Sequence, residues 1–268
     1  MLGGGSMLRF SANLGFLWKD LDLLGAVGRA RDAGFDAVEF HCPYDVAAER
    51  LKASLTEAGL PAVGLNTRPG NVAVGEFGLA ALPGRQDEAR KAIDEALAYG
   101  DVLEASYVHV TAGKPRAESP GSVREAYLDA LDYAASEAAK RGRMIVIEAL
   151  NVRDMPGYFL NTSSQAAVII GELGRDNLKI LFDCYHVQVT EGDLIRRIEK
   201  LLPLIGHIQI AAVPSRHEPD EGEVAYERLL RAVDEMGYRG FIGAEYMPRS
   251  GEVEAGLEWL ALARAALS

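Results

Sequence analysis

From Leu8 onward, short runs of Val, Ile, Leu and Phe alternate with longer segments in which apolar residues recur every three or four positions. This alternation is typical of repeated βα units, in which a buried strand precedes an amphipathic helix. The spacing of Val123, Tyr127, Leu131 and Ala134 is one helical example. Eight runs predict strands, and they are Arg9 to Phe16, Ala37 to Cys42, Ala62 to Asn66, Tyr107 to Ala112, Met144 to Leu150, Lys179 to Tyr185, His207 to Ala211 and Phe241 to Tyr246.

The number of these units predicts the fold class. Eight strand–helix alternations in 268 residues match an α/β protein built as a single (β/α)₈ TIM barrel, whereas a doubly wound open sheet usually has fewer strands. No linker composition marks a boundary, so we expect one domain over residues 8–268. Residues 1–7 contain three glycines and a second methionine, and we expect a start-site or cloning remnant there. Residues 67–85, rich in glycine and proline, predict a long loop over the active face.

Composition and charge narrow the classes of partner. Hydrophobic residues make up 49% and charged residues 25%, which is ordinary for a globular chain. The net charge of −11 disfavours the phosphate attraction of nucleic-acid binders, so no nucleic-acid partner is expected. No apolar run approaches the roughly 18 residues of a membrane span. Cys42 and Cys184 form no CxxC motif, so we expect a reducing, cytoplasmic location. Cys42 follows His41, but neighbouring strand residues point to opposite faces, so we expect Cys42 to be a core residue and not part of a thiolate pair.

Polar residues end four successive strands that otherwise resemble core. Burying unpaired carboxylates is costly, so such a set requires a shared positive charge. Three carboxylates and an amide oxygen suit Mg²⁺ or Mn²⁺, while zinc is disfavoured without Cys or His ligands. One such carboxylate alone is usually an ion-paired or capping residue, but four at the rim where barrel enzymes collect catalytic groups indicate function. We call them the ligand set: Glu148, Asp183, Gln209 and Glu245.

Residues in the loops after the strands add candidate substrate contacts. His186, three positions after the sixth-strand aspartate, is expected to lie above the metal and to bond a substrate hydroxyl. Arg216 is suited to pairing with a substrate carboxylate, and Lys114 offers a second positive charge. Each has an alternative interpretation as a solvated loop residue. His207 shares the strand face of the seventh-strand amide but lies deeper, which favours a supporting role. The sequence contains no phosphate loop, dinucleotide fingerprint or nucleophile elbow.

Several segments together resemble the hydroxypyruvate isomerase family of the xylose isomerase-like barrel superfamily. The resemblance covers nearly the whole chain from Leu8, and the combination is more specific than any one piece. The matching segments are Leu8-Arg9-Phe10-Ser11-Ala12-Asn13-Leu14, Val38-Glu39-Phe40, Pro43-Tyr44-Asp45, Ile147-Glu148-Ala149-Leu150-Asn151, Phe182-Asp183-Cys184-Tyr185-His186, Gly206-His207-Ile208-Gln209-Ile210-Ala211 and Gly243-Ala244-Glu245-Tyr246.

The resemblance implies a metal centre made by the ligand set, with Glu148 and Glu245 also acting as the acid/base pair. Substrate contacts of related ketose epimerases fall here on His186, Arg216 and Asp154. Glu223 matches a Gly-Glu element of the family and is implied to orient the site.

The chain departs from the family pattern after its seventh strand. The family usually reads Ile-Ala-Asp-Asn-Pro-His-Arg, whereas this chain has Ile210-Ala211-Ala212-Val213-Pro214-Ser215-Arg216. Met247 stands where a lysine is common. Polar groups that the family uses near the substrate are therefore missing, and the substrate itself stays open.

The leading hypothesis is an isomerase that interconverts the aldehyde and ketone forms of a small oxo acid. The family's model case is hydroxypyruvate and 2-hydroxy-3-oxopropanoate, with a metal-stabilised ene-diolate and two glutamates as acid and base. The alternatives are a 2-oxo-tetronate isomerase, a ketose 3-epimerase, or a barrel that binds an oxo acid without turnover. A metal-dependent endonuclease on the same barrel would need more histidine ligands and a basic groove. The chain has only 5 histidines and a net charge of −11, which disfavours this function. A homo-oligomer is left open.

Overall fold

The computed structural model describes residues 8–115 and 119–267. Within them, eight parallel strands follow one another around a closed barrel, and the last pairs with the first. This confirms the predicted (β/α)₈ fold. The strands are β1 Arg9–Asn13, β2 Ala37–Phe40, β3 Ala62–Asn66, β4 Tyr107–His109, β5 Met144–Glu148, β6 Leu178–Asp183, β7 Ile205–Ile210 and β8 Phe241–Ala244.

Helices connect the strands and cover the outside of the barrel. The predicted helical face of Val123, Tyr127, Leu131 and Ala134 is buried in one of them. At Gly59 another helix ends in the left-handed conformation that glycine adopts without strain. The helices are α1 Leu23–Asp32, α2 Ala48–Ala58, α3 Gln86–Leu103, α4 Pro120–Ala139, α5 Ser163–Leu173, α6 Cys184–Thr190, α7 Leu194–Leu201, α8 Tyr226–Glu235 and α9 Glu258–Leu267, with 3₁₀ turns at Val72–Val74, Leu202–Leu204 and Glu254–Gly256. Among the described helices, none has the length and apolarity required to cross a bilayer.

Alternation along the strands divides the apolar residues between two cores. Residues such as Ile147 and Phe182 belong to the large core that includes the helices. A smaller cluster lies on the opposite strand face and includes Val146 and Leu181. Because Val146 and Leu181 each stand two positions before a strand-terminal carboxylate, the inner face changes from apolar to acidic toward the carboxyl ends of the strands.

Several strands end earlier than their apolar runs. The second stops at Phe40, so Cys42 lies in the loop beyond it and is exposed. The expectation of a core Cys42 is therefore wrong, because the inward–outward alternation ends with the strand. In the same way, Glu245 lies just past β8 rather than within it.

The long loop predicted between the third strand and the next helix spans residues 67–85, with only a 3₁₀ turn at Val72–Val74. Gly78 in this loop forms an isolated antiparallel β-bridge with Ala112, which follows β4. The ring of Phe77 packs edge-on against Tyr158, with centroids 6.2 Å apart. These contacts place the loop at the carboxyl-terminal face of the barrel, as the sequence predicted.

Candidate active site

The structure brings the ligand set together at one end of the barrel. Glu148 and Asp183 are the last residues of β5 and β6, and all four side chains are buried. Asp183 pairs in register with Gln209 on the neighbouring strand. Glu148 and Asp183 have oxygens within 4.8 Å of each other, and one guanidinium reaches both Asp183 and Glu245.

Three oxygens of the ligand set have no hydrogen-bond donor among the described residues. They are Oε1 of Glu148, Oδ2 of Asp183 and Oε1 of Gln209, and all are buried. A buried acceptor without a partner costs free energy, so native proteins rarely leave several together. Carboxylate and amide oxygens are the ligands that Mg²⁺ and Mn²⁺ prefer. The chemistry of this set therefore fits a hard divalent cation.

Electrostatics concentrate negative charge here. Burial raises the pKa of Glu148 well above its usual value, and the charges of Glu245 and Asp183 raise it further. Burial and the charge of Glu245 raise the pKa of Asp183 to about 8. In the described part of the chain, Arg216 is the permanent cation that salt-bridges Asp183 and Glu245. Ionising all three carboxylates is therefore unfavourable with one guanidinium alone, and a further cation would stabilise their charged forms.

Glu245 has a different environment from Glu148. Its Oε1 accepts a hydrogen bond from Nδ2 of Asn13 at 3.0 Å and lies 3.0 Å from Nε2 of His41. Burial opposes its ionisation, but the contact with His41 and the charge of Arg216 lower the pKa of Glu245 below its usual range. The two glutamates of the predicted acid/base pair thus differ in electrostatic environment.

Arg216 lies between two aromatic rings. Its guanidinium carbon is 4.7 Å from the centre of the Phe16 ring and 4.9 Å from that of Tyr185. Nη2 is 2.9 Å from Oε2 of Glu245 and 3.6 Å from Oδ2 of Asp183. The backbone of Arg216 is left-handed, with φ of 57°, which is uncommon for a residue with a Cβ. The predicted substrate-binding arginine is therefore held in the site by stacking and ion pairing.

His186 is fixed as a hydrogen-bond donor toward the carboxylates. Its Nδ1 accepts the backbone N–H of Asn151 at 3.1 Å, so the proton of the neutral ring is on Nε2. Nε2 lies 3.6 Å from Oδ2 of Asp183 and 4.0 Å from Oε1 of Glu148. Burial and the charge of Arg216 lower the pKa of His186 to about 3, which keeps the ring neutral. Its position would allow metal ligation, but a protonated Nε2 donates and does not ligate.

The other sequence-predicted residues lie at different distances from the ligand set. Asp154 accepts hydrogen bonds from the Tyr185 hydroxyl at 2.5 Å and from Nδ2 of Asn151 at 3.1 Å, so it joins the site through these two. Lys114 is half-buried beyond β4, and no described contact joins it to the ligand set. Glu223 is exposed, where its carboxylate accepts from Gln188 at 3.1 Å. The structure does not bring Glu223 into the site.

Four further polar residues at the rim lie outside the set predicted from the sequence. Asn13 and His41 contact Glu245, Asn151 bonds His186, and Nδ1 of His109 is 3.8 Å from Oε2 of Glu148. Asn13 and His109 are the last residues of β1 and β4. Both fit the rule of a polar residue at the end of an apolar strand, but only with the strand ends of the structure, because the predicted runs continued to Phe16 and Ala112.

A closed parallel barrel with buried acidic residues at its strand ends defines the class of TIM-barrel enzymes whose active site lies at that rim. The family model described as xylose isomerase-like TIM barrel matches residues 27–263. The chain therefore belongs to the xylose isomerase-like TIM barrel family.

Relatives and solved structures agree over nearly the whole chain. The 2-oxo-tetronate isomerase of Cupriavidus necator is 46% identical over 255 residues, which cover 95% of this chain and 98% of that protein. The hydroxypyruvate isomerase of Escherichia coli is 38% identical over 255 residues, with the same coverage of each chain. A crystal structure from Brucella melitensis, titled as an AP endonuclease of family 2, superposes with a TM-score of 0.92 at 39% identity, covering 95% of this chain and 98% of that one.

Proposed function

We propose that this protein is an aldose–ketose type isomerase of short 3-hydroxy-2-oxo acids, with 2-oxo-tetronate as the preferred substrate and hydroxypyruvate as the alternative. The observation that carries the proposal is a pair of buried glutamates, Glu148 and Glu245, at a rim with three unpaired acceptor oxygens. Relatives named as isomerases of both compounds support the reaction class.

The ligand set would hold Mg²⁺ or Mn²⁺. When bound, the cation supplies an electrophile that polarises the substrate carbonyl and favours negative charge on the adjacent oxygens. The buried oxygens of Glu148, Asp183 and Gln209 support this assignment, because none of the three accepts a hydrogen bond from the described residues.

Proton transfers at two carbons and one between two oxygens account for the reaction. One glutamate removes the proton from C3 of the substrate, and the electron pair forms the double bond of an ene-diol. The other glutamate delivers a proton to C2, while the hydroxyl proton moves from O3 to O2, so the carbonyl shifts from C2 to C3 and no external oxidant is consumed. General acid–base catalysis of this kind contributes about 10²–10⁴ in rate.

Arg216 and His186 would position the substrate. Arg216 is anchored by stacking on Phe16 and Tyr185, which leaves its guanidinium free to exchange Glu245 for a substrate carboxylate. The neutral Nε2–H of His186 is a donor suited to a substrate hydroxyl or a developing oxyanion.

Deuterium exchange tests the proposal. The purified protein is incubated in D₂O with Mn²⁺ or Mg²⁺ and, separately, 2-oxo-tetronate, hydroxypyruvate and free ketoses, and the products are followed by NMR. We expect metal-dependent deuterium at carbon together with the isomerised product, fastest with 2-oxo-tetronate. Exchange restricted to ketoses would favour the 3-epimerase alternative. Binding without exchange for any compound would leave the non-catalytic barrel and refute the isomerase.

The name of the Brucella melitensis structure raises a metal-dependent endonuclease as a second candidate. The net charge of −11 counts against it, because nucleic-acid binding relies on positive charge. Incubating the Mn²⁺-loaded protein with duplex DNA containing an abasic site tests this candidate directly. We also propose a cytoplasmic location, supported by the unbridged pair Cys42 and Cys184.

A further inference from the structure

A buried carboxylate that the proposed chemistry does not use lies inside the barrel. Glu39 in β2 is 2% exposed. Its Oε1 accepts a hydrogen bond from the Ser11 hydroxyl at 3.0 Å. Its Oε2 accepts from the Tyr107 hydroxyl at 3.1 Å and from Nε2 of Gln209 at 2.8 Å, and lies 3.1 Å from Nε2 of His207. Four side chains from three other strands, β1, β4 and β7, thus converge on one carboxylate.

We propose that Glu39 is a positioning residue that fixes the amide of Gln209 so that Oε1 faces the divalent cation. This inference rests on the proposed function. An amide has a donor end and an acceptor end of similar shape. If the amide of Gln209 were turned over, its oxygen would lie 2.8 Å from Oε2 of Glu39, and two acceptors would face each other. Glu39 therefore selects the orientation in which the NH₂ group faces inward.

The acceptor end of the same amide is the free one. Oε1 of Gln209 is buried and has no hydrogen-bond partner among the described residues. Gln209 pairs in register with Asp183, whose Oδ2 is also buried and accepts no hydrogen bond from the described residues. Residues paired in register project from the same face of a sheet, so the two oxygens belong to one rim. The contact with Glu39 thus holds the Gln209 amide in a single orientation and leaves its oxygen available as a ligand.

The barrel makes space for this carboxylate at two glycines. A Cβ on Gly243 would lie 2.1 Å from Oε1 of Glu39 and 2.9 Å from Nε2 of His207. A Cβ on Gly64 would lie 2.0 Å from the ring of Tyr107, one of the donors. Both glycines have ordinary backbone φ, so their role here is close approach rather than conformational freedom. Glycines of β3 and β8 therefore make room for a network whose donors lie on β1, β4 and β7.

A carboxylate is required for this selection, because an ionised carboxylate accepts hydrogen bonds and donates none. A glutamine at the same position would offer both a donor and an acceptor and would tolerate either orientation of the Gln209 amide. Glu39→Gln therefore removes the orienting effect while keeping the volume of the side chain.

Mn²⁺ binding tests the inference without relying on turnover. Free Mn²⁺ is measured by electron paramagnetic resonance during titration of the purified full-length protein. We expect Glu39→Gln to weaken Mn²⁺ binding about 10–100-fold, the usual effect of removing a partner behind a metal ligand. The matched control is Glu191→Gln. The Glu191 side chain is 8% exposed and accepts from Ser163 and Arg197, outside the ligand set. Its replacement should alter thermal stability and leave the Mn²⁺ Kd unchanged.

A double variant that moves the carboxylate from position 39 to position 209 provides a second test. Gln209→Glu alone places two carboxylates at a contact of 2.8 Å and should destabilise the fold. In the double variant Glu39→Gln/Gln209→Glu, the ligand is a carboxylate with two equivalent oxygens, so either orientation presents an oxygen and Mn²⁺ should bind more tightly than to Glu39→Gln. If Glu39→Gln fails to fold, the double variant carries the test, and a Kd within about 10-fold of wild type supports the inference.

The outcomes separate this inference from the function on which it rests. If wild type binds Mn²⁺ and Glu39→Gln binds it equally well, the positioning role of Glu39 is refuted and the isomerase proposal stands. A merely structural Glu39 would give the same result, with a lower Tm and an unchanged Kd. If wild type binds neither Mn²⁺ nor Mg²⁺, the proposed metal centre and this inference both fall.

Discussion

Nη2 of Arg216 lies 2.9 Å from Oε2 of Glu245, and the same guanidinium is stacked between Phe16 and Tyr185. The ion pair joins a residue just past β8 to a loop residue after β7. It neutralises the glutamate that the proposed function uses for proton transfer. We propose that a substrate carboxylate replaces that glutamate as the partner of Arg216, whose contacts with the two rings would be kept.

We expect Arg216→Lys to lower kcat/KM about 10²-fold, since a lysine keeps the charge but loses the planar fork and the stacking. Steady-state kinetics with 2-oxo-tetronate measure the effect. Arg231→Lys is the control, because Arg231 forms an exposed ion pair with Glu227 on α8. Wild-type kinetics of Arg216→Lys would contradict the proposed substrate contact.

Replacing Glu245 should strongly reduce turnover. Glu245→Gln keeps the shape of the side chain and a hydrogen-bonding oxygen but removes the proton-transfer group, so kcat should fall by about 10²–10⁴ with an unchanged circular dichroism spectrum. Glu227→Gln, at a side chain that is 69% exposed, is the matched control. Retained deuterium exchange in Glu245→Gln would refute its assignment as acid or base.

The donor role of His186 predicts a difference between two neighbouring substitutions. His186→Phe removes the Nε2–H that faces the carboxylates, and kcat should fall about 10²-fold or more. Asn151→Ala removes a side-chain contact of 2.7 Å to Nδ1 but leaves the backbone N–H bond at 3.1 Å, which still sets the tautomer. Its effect on kcat should therefore be much smaller. Equal losses in the two variants would argue against the donor assignment.

Metal binding should stabilise the fold. Mn²⁺ that binds only the native state raises the unfolding free energy by about 2.7 kcal/mol at a free concentration 100 times its Kd. We expect a higher Tm for wild type with Mn²⁺ than with EDTA, measured by differential scanning calorimetry. Asp183→Asn loses one ligand carboxylate and should lose most of the shift. A Tm that does not respond to Mn²⁺ or Mg²⁺ would count against the ligand set.

The strand order and the ligand set could be predicted because both follow from local sequence pattern. Apolar runs specify strands wherever both faces are covered, and Glu148 or Asp183 stands out because a charge ends such a run. Glu39 carries the same signal within Ala37-Val38-Glu39-Phe40. Its partners lie on other strands, so the local pattern does not predict its role, and only the family resemblance includes it.

The positions of loop residues are harder to predict from the sequence, because contacts across the barrel rim determine them. Asn13 and Glu245 are separated by 232 positions yet share a hydrogen bond, and no local pattern specifies such a pair. Glu223 was implied by resemblance to orient the site, but its loop turns outward and leaves it exposed. The left-handed backbone of Arg216 depends in part on an N–H bond to Ala212 at 2.8 Å, which only the folded loop reveals.

Close packing inside the barrel gives a stability prediction that is independent of the chemistry. A Cβ on Gly64 in β3 would lie 2.0 Å from the ring of Tyr107, so Gly64→Ala requires that ring to move. Overpacking of this kind costs about 1–3 kcal/mol, which urea denaturation should detect as a lower midpoint with an unchanged slope. Gly28 in α1 has no atom within 4 Å of an added Cβ, and Gly28→Ala should stabilise by about 0.5–1 kcal/mol through helix propensity. Equal midpoints for the two variants would mean that Tyr107 can yield without loss, and the tight packing inferred around Glu39 would then be wrong.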